Sequence, residues 1–438
     1  MAGEDECLVE LFIVMRCTFL FLAALVALTT ASQRSYDGYQ VMTIKTDDSQ
    51  KLDMLFQWQE QGIDFWDNLN SIGRPMRVMI PPNLQTDFPA FLRDNEISHE
   101  LIIPNVEPVL EQERKDQIES RARAMVNRRF APRATADFSY YWQPSEINAY
   151  LRNLATEYPN LVTVEVAGES FEGREILVAR ISNSNFDGTK PKIFIDAGVH
   201  AREWIAPMSA LNLIHELVEH SADNADFLAC DWIIIPTVNP DGYQYTHDSD
   251  RFWRKTRSVN QGSKCRGVDG NRNYGYFWGQ GAGISTNPCS DVFLGREPHS
   301  EKEIQAVVNE MAKDASGIRL YLSFHSYGDW LLFPWGYDRI LHDNHEQLSQ
   351  VGELVAEAIR TAHGRQYTTG NSAILLYPAA GGSDDYAAGV HNINLSYTVE
   401  LSGGGLGGFD LPASQIVTVT REIFTGLRAY AQYVATNF

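Results

Sequence analysis

Two textures of hydrophobic patterning divide the chain. From Gln40 short apolar runs alternate with helical spacing. A strand at Val41 to Thr46 is followed by a helix with Leu52, Leu55 and Phe56 at i, i+3 and i+4, then strands at Ile63 to Trp66 and Met76 to Ile80. A helix carrying Phe88, Phe91 and Leu92 and a strand at Ile97 to Ile103 complete the set. The order β-α-β-β-α-β predicts a small ferredoxin-like α+β unit. A charged helical stretch, Asn105 to Phe130, follows and ends at Ala131-Pro132-Arg133. Beyond it, apolar strands at Ile176 to Ile181, Lys192 to Ala197, Trp232 to Pro236, Leu320 to Phe324 and Asn394 to Leu401 are separated by helical patterns such as Trp204 to Glu219. Strands separated by helices predict an α/β domain with a mixed, mostly parallel sheet flanked by helices. In such sheets ligands sit outside the carboxyl ends of the strands.

Length agrees with two units, because 438 residues exceed the roughly 100–200 of one domain. The 44% hydrophobic and 21% charged residues describe a globular chain and exclude wholesale disorder and a polytopic membrane protein. A longer apolar run, Cys17 to Leu28, is about a dozen residues, short of the roughly 20 that span a bilayer. Arg16 before it and Thr29, Thr30, Ala31 and Ser32 after it form the pattern of a secretory signal, with Met15 read as its start. The expected division is a leader and signal over residues 1–32, a first unit with its connecting helix over 33–133, and a main domain over 134–438. The formal charge is -20, and residues 134–438 carry -14 of it, 22 Lys and Arg against 36 Asp and Glu. So acidic a chain lacks the basic footprint that nucleic acid or an anionic membrane requires. The connecting stretch is the exception, with Arg121, Arg123, Arg128 and Arg129. It reads either as a solvated helix face or as a linker that a trypsin-like protease cuts to remove a pro-segment. Of five cysteines, Cys7 and Cys17 would leave with the signal; Cys265 and Cys289 close a loop of suitable length, and Cys230 reads as a buried thiol.

The chemistry gathers at strand ends. His200 and Glu203 lie between the strand Lys192 to Ala197 and a helix. An imidazole and a carboxylate three residues apart at such a turn can close on one divalent metal, although the spacing alone is common. A third ligand matches by position: His325 falls at the edge of the strand Leu320 to Phe324. Two histidines and one carboxylate, with a fourth position for water, describe a catalytic zinc site. At a third strand end Glu400 sits among apolar neighbours. Zinc lowers the pKa of a bound water to about 7, and a carboxylate beside it can take that proton and pass it to a leaving amine, so Glu400 is the expected general base. The stretch His215-Glu216-Leu217-Val218-Glu219-His220 looks like a second zinc motif, but i, i+5 spacing on a helix points its histidines apart. Gly403 to Gly408 lacks the spacing of a phosphate-binding motif and reads as a loop, and Gly-x-Ser-x-Gly is absent. Trp253-Arg254-Lys255-Thr256-Arg257 and Asp269-Gly270-Asn271-Arg272-Asn273 place guanidinium groups in loops, where they can bind a carboxylate or stabilise an oxyanion. The residues alone leave open which arginine does which. Asn394-Leu395-Ser396 is a glycosylation sequon, placed by the pattern in a core strand.

These stretches, together with Asn239-Pro240-Asp241-Gly242-Tyr243, His325-Ser326-Tyr327 and Tyr377-Pro378-Ala379-Ala380-Gly381-Gly382-Ser383-Asp384-Asp385, resemble the zinc carboxypeptidases of the pancreatic A/B type from about Phe138 to the C-terminus. The preceding unit resembles that family's inhibitory pro-domain. The resemblance implies a secreted, monomeric zymogen that releases the C-terminal residue of peptides and proteins once a trypsin-like protease cuts near Arg129 or Arg133. It implies one zinc on His200, Glu203 and His325, with Glu400 activating the water and Arg254 stabilising the oxyanion. Asn271, Arg272 and Tyr377 would hold the terminal carboxylate, Arg202 and Tyr327 would line the adjacent subsite, and Cys265 and Cys289 match the family disulfide.

The residue after Gly-Gly-Ser forms the floor of the family's side-chain pocket, apolar in A-type and Asp in B-type enzymes. Here it is Asp384, which implies release of C-terminal Lys or Arg. The continuation Asp385 to His391 is one residue longer than usual, so the pocket wall beside Asp384 departs from the family pattern. The rival readings are an A-type preference, a non-catalytic peptide-binding protein on the same fold, and a zinc endopeptidase.

Overall fold

The computed structural model describes residues 33–66, 73–130, 136–405 and 408–438. The expected signal and Arg133 lie outside them. The first unit runs β1 (Gln40–Lys45), α1 (Ser49–Glu60), β2 (Asp64–Phe65), β3 (Met76–Ile80), α2 (Asp87–Asp94) and β4 (Ser98–Ile103), and α3 (Glu107–Phe130) leads out of it. Its sheet has the order β2-β3-β1-β4 with every pair antiparallel. Ile44, Val78 and Ile80 meet Leu52, Leu55, Phe88 and Leu92 in a small core of its own, which is the reason the alternating and helical patterns of this stretch read cleanly.

The main domain continues with α4 (Pro144–Glu157), β5 (Val162–Glu169), β6 (Glu175–Ile181), β7 (Lys192–Ala197), α5 (Ile205–Val218), β8 (Asp231–Ile235), α6 (Pro240–Asp248), α7 (Lys302–Asp314), β9 (Ile318–Ser326), β10 (Trp330–Phe333), α8 (His345–His363), β11 (Thr368–Asn371), α9 (Ser372–Leu375), α10 (Ser383–His391), β12 (Leu395–Leu401) and α11 (Ile416–Asn437). The eight strands lie in the order β11-β10-β12-β9-β7-β8-β6-β5. The central pairs β12-β9, β9-β7 and β7-β8 are parallel, whereas β10-β12, β8-β6 and β6-β5 are antiparallel. Successive residues of a strand face opposite sides. Ile193 and Ile195 therefore join the core under α4, α5, α8 and α11, while Phe194 joins the one under α7 and α10. Strands covered on both faces read as unbroken apolar runs, and β7, β8 and β9 do so. β12 begins at Leu395, so of the sequon Leu395 and Ser396 lie buried in the core strand, as expected, while Asn394 is exposed just before it.

Candidate active site

The parallel strands β7, β9 and β12 end side by side, and each delivers one part of the site. β7 ends at Ala197, and Gly198 turns the chain at φ +71. A Cβ there would come within 2.8 Å of Pro207 Cγ, so only glycine lets the turn pass so close to α5. The turn sets His200 and Glu203 just ahead of that helix. His325 is the penultimate residue of β9, and Glu400 stands opposite it in the parallel register of β12.

His200, Glu203 and His325 are buried with their donor atoms converging. His200 Nδ1 is 2.8 Å from Glu203 Oε1, His325 Nδ1 is 3.1 Å from Glu203 Oε2, and the two Nδ1 atoms are 3.0 Å apart. The outer nitrogens explain this. His200 Nε2 faces Asp269 Oδ1 at 2.9 Å, and His325 Nε2 faces Ser323 Oγ at 3.2 Å while that hydroxyl donates to Asp196 Oδ1 at 2.8 Å. Each Nε2 is thereby the protonated nitrogen, and each Nδ1 turns its lone pair to the common point. Two imidazole lone pairs and a carboxylate aimed at one spot fit a zinc ion. Burial alone would raise Asp269 and Glu203. For Asp269 the charges of Arg254 and His200 outweigh it, and for Glu203 those of His200 and His325 do, so both are held well below the usual carboxylate range.

A cleft of ≈ 650 Å³ opens over this point and is lined by Glu400, Arg254, Asn271, Arg272, Tyr327, Tyr377 and Asp384 as well as the three ligands. Glu400 is half-buried at the cleft and not enclosed among apolar side chains as its sequence neighbours imply. Arg254 is held by Asp269 Oδ2, from Nε at 3.1 Å and Nη2 at 3.0 Å. Asn271 and Arg272 sit in a 3-10 turn, where Asn271 Oδ1 accepts from Ser383 N and Arg272 Nη2 donates to Tyr377 Oη at 2.6 Å. Gly403 packs on Tyr327, since a Cβ on it would lie 2.7 Å from Tyr327 Cβ. Arg202 is set apart: it lines an adjoining pocket and its Nη1 pairs with Asp64 Oδ2 at 2.9 Å.

Asp384 is the second residue of α10 and is 5% exposed. Burial pushes its carboxyl above the usual range, and no ion pair reaches it among the described residues. Cys265 and Cys289 are disulfide-bonded and Cys230 is a buried free thiol. The reading of His215 and His220 needs correction. α5 ends at Val218 and the chain turns back, so helical spacing does not govern His220, and the two rings lie 5.0 Å apart.

Sequence reasoning assigned no role to Asp269, Asp196 or Ser323, which orient the ligands. The resemblance implies that the first unit covers the entrance, but it names none of the contacts that do so. Trp66 packs on Phe252 and Phe409 at centroid distances of 4.8 and 5.8 Å, and the Arg77 guanidinium stands 5.2 Å from the Tyr327 ring. Glu113 on α3 pairs with both Nε and Nη2 of Arg251 at 2.8 and 3.0 Å.

The sequence profile described as "Zinc carboxypeptidase" matches residues 147–426. The chain belongs to that family. Residues 42–113 match "Carboxypeptidase activation peptide", so the covering unit is the activation peptide of a zinc metallocarboxypeptidase zymogen. A "Carboxypeptidase B" of Astacus astacus is 42% identical over 69% of this chain and 99% of its own length. A "Carboxypeptidase B" of Helicoverpa zea is 39% identical over 93% of this chain and 96% of its own. The crystal structure of carboxypeptidase A from Helicoverpa armigera superposes with a TM-score of 0.85 at 32% identity, covering 92% of this chain and 99% of that one.

Proposed function

We propose that this carboxypeptidase releases C-terminal Lys or Arg and that Asp384 selects them. The observation that carries the reading is a buried carboxylate at the cleft that no ion pair reaches among the described residues. A Lys or Arg side chain would supply the missing charge. A Phe or Leu side chain would leave Asp384 unpaired, at a cost of about 3–5 kcal/mol.

His200, Glu203 and His325 would hold a zinc ion, which when bound would supply Lewis acidity and lower the pKa of water to near neutral. Glu400 takes the proton of the attacking water and delivers it to the leaving amine. Arg254, fixed by Asp269, stabilises the negative charge that develops on the carbonyl oxygen. Asn271, Arg272 and Tyr377 hold the substrate's terminal carboxylate, a task suited to the guanidinium fork, while Arg202 and Tyr327 border the next residue inward. The division into signal 1–32, pro-segment 33–133 and enzyme 134–438 follows from this reading. So do a secreted monomer and activation by a trypsin-like protease at the arginines closing α3. The signal-like run around Cys17 to Leu28 and the Cys265–Cys289 disulfide support export to an oxidising compartment.

A peptide ending in free Arg and the same peptide amidated separate the exopeptidase from an endopeptidase. The activated enzyme is expected to release Arg from the acid alone. Cleavage of both at similar rates, or activity retained in Glu400→Gln, would refute the mechanism.

A further inference from the structure

Away from the cleft, the far end of α5 carries a second group of metal-binding side chains. Donor atoms of His215, Glu216 and His220 lie within 4.8 Å of one another. The helix stops at Val218, and a turn in which His220 O accepts from both Asp223 N and Asn224 N brings the His220 ring back over His215. His215 is buried, while Glu216 and His220 are half-exposed, so the group is open to solvent on one side.

The hydrogen bonds set the tautomer of His215. Tyr150 Oη donates to Glu219 Oε1 at 2.5 Å, and the same oxygen is 2.8 Å from His215 Nδ1. With its O–H directed to the carboxylate, Tyr150 Oη can only accept from the imidazole, so Nδ1 carries the imidazole proton and Nε2 the lone pair. Glu219 Oε1 is also 3.2 Å from Nδ1. A carboxylate behind the protonated nitrogen is the arrangement that orients metal-ligating histidines. Asn224 Nδ2 donates to one Glu216 oxygen at 3.1 Å, which leaves the other for a ligand. Burial lowers the pKa of His215, which favours the neutral, ligating form.

We propose that His215, Glu216 and His220 form a second, exchangeable zinc site. Two imidazoles and one carboxylate are a donor set suited to Zn2+ among the common divalent ions. Three protein ligands and solvent access make it weaker than the enclosed catalytic site. His215 lies twelve residues beyond Glu203, most of them in α5, about 18 Å at 1.5 Å per residue. Occupancy at one end therefore leaves the chemistry at the other untouched. The Phe138 ring lies 5.4 Å from that of His215, so the ion would sit beside Phe138.

The test is equilibrium dialysis of the full-length protein against Zn2+ in excess of what saturates the catalytic site, with bound metal measured by mass spectrometry. Wild type is expected to hold two equivalents, and His220→Ala and Glu216→Gln one each, both variants keeping full peptidase activity after activation. Added Zn2+ should raise the melting temperature of the one-zinc wild type and not of the variants. Glu216→Gln, nearly isosteric and half-exposed, keeps the measurement decisive if His220→Ala fails to fold. One equivalent in wild type, or two in a folded variant, would overturn the proposal; the latter would place the second ion elsewhere.

Discussion

Asp269 touches both His200 and Arg254 and so supports the metal set and the oxyanion group together. Asp269→Asn should weaken zinc binding about 10–100-fold, read by competition with a chelator. Glu400→Gln should leave zinc content unchanged while kcat falls by about 10²–10⁴-fold. Asp384→Ile should lower the preference for Arg over Phe by at least about 10²-fold, the equivalent of roughly 3 kcal/mol. The residues behind these predictions were unevenly legible. His200, Glu203 and His325 announced themselves as ligand types at the ends of apolar strands. Asp269 and Asp196 did not, because a carboxylate that serves a histidine 69 or 129 positions away leaves no local mark. Only the folded register, with Asp196 beside Ser323 and Glu400 beside His325, brings them together.

Elements follow the same logic. The buried strands β7, β8 and β9 were visible as apolar runs. β5 and β11, at the sheet edges, and the short β10 were not, because half-exposed or brief strands carry mixed side chains such as Val162 to Glu169. The end of α5 was misplaced because Glu219 and His220 fit a helical pattern that the chain leaves at Val218. On α7, Glu303 gives the element a pH dependence. Burial raises its pKa from 4.5 to about 7, against the hydrogen bond from Phe171 N. A pKa raised on folding means the native state binds the proton more tightly. This contribution is whole below pH 4.5 and is lost as pH rises through 7. Glu303 should thus make the protein about 3 kcal/mol less stable at pH 8 than near pH 4.5. Denaturant melts of Glu303→Gln should show that part of the slope removed; a slope unchanged from wild type would reject the assignment.

At the scale of the whole molecule the activation peptide and the enzyme share charged contacts that neither makes alone. Asp64 faces Arg202, whose side chain is 3% exposed, and Glu113 faces Arg251 at 7%. Removing one partner of such a pair leaves a buried charge, at about 3–5 kcal/mol. Asp64→Ala should therefore loosen the docked activation peptide and raise the activity of the uncut protein toward a small substrate. An uncut variant as silent as wild type would show that Arg202 does not hold the cover in place. The two-unit division was legible in the texture of the sequence, whereas the docking was not, since it depends on single residues far apart in the chain.

The central claim is a zymogen whose enzyme prefers basic C-terminal residues, and kcat/KM for two peptides differing only in a final Arg or Phe tests it most directly. The pair is measured before and after limited trypsin treatment, with intact mass recorded at each point. The expected result is negligible turnover of either peptide at full mass. After loss of a segment ending in the arginine-rich linker, Arg should be released at least about 10²-fold faster than Phe. Faster release of Phe, or full activity with the activation peptide still attached, would contradict it.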